Sequence, residues 1–240
     1  MMLTLRQLTH VACLCALTIT LSLSVSSVAY AKGWSSLGVI NGVKVSRMSV
    51  EGSPLFAFRG ERVADIPLDV LVATFADPKE RSKWVNMYKD HKTFEKSELR
   101  EVYWIRFDLP PLISDRDYVL ESVAKIDKEK AKLSVEIKSV EHPKAPKGCC
   151  VRAEVKRTYY VFTALSPTKT KMEVEVHTNP KGLLPGWLIN MIQKKWPANT
   201  LNSLYKRALK VNKSHKAINA WLTDHFQAQT SGAQGATPAE

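Results

Sequence analysis

The chain has 240 residues, 45% of them hydrophobic and 24% charged, and its 35 Lys and Arg against 23 Asp and Glu give a net charge of +12. That length supports a hydrophobic core, and four cysteines, of which Cys13 and Cys15 fall in the first 31 residues, exclude a disulfide-stapled scaffold. The basic excess favours an anionic surface as partner.

Residues 1–31 carry Arg6, an apolar run from Val11 to Val25, and then SSVAYA, where Ala29 and Ala31 form the small-x-small pattern of a signal peptidase site. Cleavage after Ala31 is expected, with export to a periplasm as the localisation. The run is short and Ser/Thr-rich for a membrane span. Arg6 is the leader's only charge, so the mature chain stays strongly basic.

The compact part is expected over 33–212, as one domain without repeats. VKVSRMSV (43–50) and LFAFRGERVAD (55–65) flank the turn EGSP and predict a hairpin. PLDVLVATFAD (67–77) places Leu68, Leu71, Val72 and Phe75 at helical spacing after a proline. Strands follow over 100–109, 117–126, 131–140, 149–165 and 171–178, separated by the polar turns DKEK, EHPKAPKG and SPTKT of an antiparallel meander. PGWLINMIQKKWPANTLNSLYKRALK (185–210) is an amphipathic helix with Trp187, Leu188, Met191, Ile192, Leu201 and Leu204 on its stripe, and Pro197 should kink or break it. An extra helix is expected over 213–226, from the spacing of Ile218, Trp221, Leu222 and Phe226. The polar tail 227–240 reads as disordered. Cys149 and Cys150 are neighbours assigned to a strand, with side chains on opposite faces, so no disulfide is expected.

Strands in a meander followed by one long helix describe an α+β layer arrangement. In order, ADPKERSKW (76–84), Arg116-Asp117-Tyr118-Val119, VRAE (151–154) and NPKGLLPGWLIN (179–190) resemble the START family, the steroidogenic acute regulatory protein-related lipid transfer domains. The resemblance implies the helix-grip fold, a curved antiparallel sheet wrapped around the C-terminal helix with an internal apolar cavity for one lipid. It also implies non-enzymatic binding and transfer of a lipid or other hydrophobic molecule, the alternative being a cyclase-like enzyme of the same superfamily.

Under that topology the loop LPPLIS puts Leu112 and Ile113 at the cavity mouth, either as a gate that brushes a bilayer or as a loop tip tucked on the core. Arg116 stands near the entrance and needs carbonyl, carboxylate or ligand oxygen partners. It either meets ligand or ties the loop in place. Alternation puts Tyr118, Leu120 and Ser122 on the face of Arg116, and Asp117 on the other. The same parity points Tyr103, Ile105, Phe107, Val135, Ile137 and Val174 inward, and Trp187, Leu188, Met191 and Ile192 complete the expected lining. Cholesterol-handling members resemble one another in an acid thirteen residues before the motif arginine and a second arginine six after it. Those positions are Tyr103 and Ser122 here, so sterol specificity is neither supported nor excluded. Burying a tail of about sixteen carbons at roughly 0.8 kcal/mol per methylene supplies on the order of ten kcal/mol, enough for a carrier without a covalent step.

Catalytic signatures are lacking: there is no G-x-S-x-G, no H-E-x-x-H, no phosphate-cradling Gly-rich loop and no zinc spacing. SPTK (166–169) matches S-x-x-K only formally, in a polar turn. No cofactor and no metal are expected. The expected partners are an apolar small molecule and, transiently, an anionic membrane surface, with no nucleic acid and the chain acting as a monomer.

Overall fold

Ten strands form one sheet in the order β1-β2-β3-β10-β9-β7-β6-β5-β4, with the short β8 pairing parallel to β6 off this path. The structure, a computed structural model, describes residues 33–111 and 113–234, so the expected leader 1–31, Leu112 and the last six residues of the tail 227–240 lie outside the described residues. The strands are β1 (Ser35–Ile40), β2 (Val43–Met48), β3 (Ala57–Ala64), β4 (Tyr88–Lys96), β5 (Arg100–Phe107), β6 (Arg116–Asp127), β7 (Lys132–Ser139), β8 (Val151–Arg152), β9 (Glu154–Ser166) and β10 (Lys169–Asn179). All the other pairings are antiparallel. In β10 every second residue, Thr170, Met172, Val174 and Val176, is buried, as a sheet with one covered face requires. The N-terminal hairpin joins the last strand, Gly60 lying opposite Val174.

Four helices complete the fold: α1 (Leu68–Ala76), α2 (Pro78–Trp84), α3 (Gly186–Val211) and α4 (Lys216–Gln234). Asp77 starts α2 by accepting a hydrogen bond from the Lys79 N–H at 2.9 Å, an N-cap on a helix whose first residue is proline. α3 is the gripped helix; Ala198, Leu201, Leu204 and Ala208 are fully buried. Of the expected kink or break at Pro197, the break does not occur, and the helix runs on through the proline. The proline ring packs on β3 where a Cβ added to Gly60 would lie 2.7 Å from its own Cβ, so close packing offsets the missing backbone hydrogen bond.

Asn212 ends α3 in the left-handed region (φ 45°), donating its N–H to Ala208 O at 2.9 Å. The fold does not end there. The His215 N–H reaches Asp69 O at 3.3 Å, and α4 packs Ile218, Trp221 and Leu222 into the core shared with α1. Each such side chain contributes about 1.5–3 kcal/mol of burial. The helix continues to Gln234, inside the segment 227–240 that composition alone assigns to disorder. Ala and Gln are good helix formers and prolong a helix nucleated by packing.

Cys149 and Cys150 are also corrected: they form a vicinal disulfide. They lie in the bend before β8 rather than in a strand, so strand alternation does not force their side chains apart.

Candidate ligand cavity

Between the inner face of the sheet and the helices lies a cavity of about 490 Å³. The strand register builds its wall. Tyr103 pairs with Leu120, Ile105 with Tyr118 and Phe107 with Arg116 across β5 and β6; Ser122 pairs with Ile137 across β6 and β7, and Val135 with Tyr160 across β7 and β9. Because alternate residues share a face, all of these line one volume. A second recess of about 600 Å³, bordered by Asn41, Arg62, Asn199, Asn202 and Lys206, is polar, and there Arg62 donates to Asn202. It does not suit an apolar ligand.

The helical part of the lining differs from the expected one. α3 turns Ile189, Ile192, Gln193, Trp196 and Thr200 to the cavity, one face at helical spacing. Of the expected four, only Ile192 is among them. Trp187 is 70% and Met191 56% exposed, and Leu188 is half-buried outside the lining. Val174 faces inward but is fully buried in the packed core, together with Met172 and Leu201, rather than bordering open volume. Ile113 is half-buried, its N–H donating to Pro110 O at 3.2 Å, and it is not in the lining.

Arg116 is 4% exposed. Its Nε donates to Pro180 O at 3.1 Å, Nη2 to Lys181 O at 3.1 Å, and Nη1 to Ser114 O. Three carbonyls from two loops satisfy the guanidinium, which clasps the β5–β6 loop to the β10–α3 loop while the residue borders the cavity. Gly182 (φ +76°) makes room for it; a Cβ there would sit 3.1 Å from Nη2. Asp117, on the opposite face as parity requires, accepts from Trp104 Nε1 at 2.6 Å and from Arg152 at 3.0 and 2.8 Å.

A charged pair absent from the sequence reading lies on the wall. Arg81 Nη2 donates to Glu101 Oε2 at 2.7 Å, Thr93 Oγ1 donates to Glu101 Oε1 at 2.7 Å, and the guanidinium sits 4.4 Å from the Tyr103 ring centroid. Burial pushes the Glu101 carboxyl up, but hydrogen bonding from Arg81 and its charge outweigh this and hold it below the ordinary carboxylate value. The available signal was parity, since Glu101 shares the face of Tyr103.

Burial pushes the phenols of Tyr103, Tyr118 and Tyr160 up, so they stay protonated donors at neutral pH. Among the described residues, the indole nitrogens of Trp84 and Trp221 and the amide oxygen of Gln193, all on cavity-lining residues, are buried without partners. Such groups are costly unless water or ligand oxygen reaches them. Asp117, Cys149 and Cys150 group closely enough to suggest a metal, but the thiols are spent in the disulfide and the carboxylate on Trp104 and Arg152.

The model of the START domain matches residues 25–214. An uncharacterized protein of Pseudomonas aeruginosa is 27% identical over 201 residues, covering 76% of this chain and 90% of that protein. The phosphatidylcholine transfer protein of Bos taurus is 26% identical over 178 residues, covering 72% and 83%. Among solved structures, human STARD10 superposes with a TM-score of 0.69 at 22% identity, covering 82% of this chain and 78% of that one. A STAR-related lipid transfer protein fragment from Xanthomonas axonopodis superposes with a TM-score of 0.64 at 23% identity, covering 73% and 98%.

Proposed function

Because the chain belongs to the START domain family, known for lipid binding and transfer, we propose that it takes up a lipid or other apolar molecule into its cavity and carries it between membranes through water. The observation that carries this reading is the cavity itself. A core packed to ordinary density has few voids larger than a water molecule, whereas here about 490 Å³ stays open beside apolar side chains and the unpartnered polar atoms of Trp84, Trp221 and Gln193.

The ends of the cavity support the transfer part. At the Arg116 end, Leu183, Trp187 and Met191 are exposed beside the exposed Lys194 and Lys195, a combination suited to the interface of an anionic leaflet. Export through the leader 1–31 would set the route across a periplasm, with the chain acting as a monomer. Arg81 and Glu101 are held in their charged forms by each other, which favours a fixed dipole for binding over an acid–base pair for cyclisation.

The test is native mass spectrometry of the protein purified from its own host, followed by transfer between donor and acceptor vesicles. Phosphatidylcholine is the first lipid to offer, on the strength of the relatives' names. A stoichiometric bound lipid and protein-dependent transfer are expected. A clean apo mass with no uptake of any offered lipid overturns the reading.

A further inference from the structure

The family match stops at residue 214 and α4 begins at Lys216, yet Ala217, Ile218 and Trp221 of α4 line the cavity. Arg116 holds Lys181, just before the start of α3, and α4 begins only after the 26 residues of that helix have run away from it, so these residues stand at the end remote from Arg116. β5 and β6 run from the Arg116 loop to the β4–β5 and β6–β7 turns, and at those turns the lining passes to Lys96, Ser97, Glu98, Leu99 and Lys128, all exposed. Exposed turn residues that also border the cavity mark a second opening, and α4 stands beside it. Ile218 is 2% and Trp221 8% exposed, so their bulk separates the volume from solvent.

We propose that α4 is the end wall of the ligand site and sets how long a molecule the cavity holds, with Ala217, Ile218 and Trp221 as the residues that determine ligand length. The inference rests on the lipid-binding reading above and adds a specificity element outside the matched domain. Trp221 is the stop. Removing its ring extends the cavity along its axis, and every further methylene then buried raises relative occupancy about four-fold. Ala217 is exposed, so added bulk there narrows the opening without disturbing the core.

The experiment uses the full chain, as wild type, Trp221→Ala and Ala217→Trp. Each is incubated with vesicles containing phosphatidylcholines and free fatty acids of graded saturated chain length, re-isolated, and its bound lipid read by mass spectrometry. Trp221→Ala should shift the bound population to longer chains by about four-fold per added methylene, and Ala217→Trp to shorter ones. If Trp221→Ala does not fold, Ala217→Trp decides alone. Folded variants with the wild-type length profile overturn the role of α4 and leave the lipid-binding reading standing. A wild-type protein that takes up no lipid overturns both.

Discussion

Arg81 and Glu101, twenty residues apart in sequence, meet at 2.7 Å on the wall of an apolar cavity with the Tyr103 ring against the guanidinium. Removing one member strands the other in low dielectric. Arg81→Met should cost about 3–5 kcal/mol in urea unfolding, and Arg81→Met combined with Glu101→Gln should recover part of that loss. A double variant whose loss is the sum of the two single losses would show that the pair is not coupled.

The same pair gives a pH dependence. Glu101 is held below its ordinary value of 4.5 in the folded chain, so its contribution is fully present above that value and is lost as pH falls through the lower, folded one. Glu101→Gln should flatten the acid limb of the stability profile. Unchanged steepness would exclude Glu101 as its source.

Arg116→Lys replaces a fork reaching three carbonyls by a single ammonium that cannot span them. A loss of about 2–4 kcal/mol is expected, with faster release of a fluorescent phospholipid, because the β5–β6 and β10–α3 loops come unclasped. Release at the wild-type rate would restrict the clasp to a purely structural part.

Gly60→Ala places a methyl group against Pro197. Both atoms sit on rigid backbone, so thermal unfolding should report about 1–3 kcal/mol of destabilisation. A neutral substitution would mean that α3 can lift from β3.

Trp187→Glu with Leu183→Glu alters only exposed positions. Stability should change by about 0.5 kcal/mol or less per site, while sedimentation with anionic vesicles drops at least about ten-fold, given roughly 1.5–3 kcal/mol for each apolar side chain buried. Vesicle binding that survives both changes would place the membrane contact elsewhere.

The strands and their inward faces were legible because a period of two leaves little choice of face: Tyr103, Ile105, Phe107, Tyr118, Leu120, Ser122, Val135 and Ile137 all border the cavity. The helix was harder. α3 carries one apolar stripe that faces the cavity, Ile189 to Trp196, and another, Trp187 and Met191, left to solvent; periodicity reveals stripes, not what covers them. β1 and β4 went unread, since their burial patterns are mostly exposed or half-exposed. The partners of Arg116 are backbone carbonyls, which carry no signature in sequence at all. The disulfide was missed because the cysteines were assigned to a strand that starts only at Val151.

The pairing of β3 with β10 also has a kinetic side. Gly60 finds Val174 only across roughly half of the chain, and closing so long a loop is entropically expensive and comes late. During synthesis, the β1–β3 unit waits with one edge unsatisfied while the β4–β7 meander, joined by short connections, assembles locally. Only when β10 and α3 emerge can the two halves be zipped together. The sheet therefore cannot close, nor the core between β3 and α3 form, before nearly the whole chain has been made.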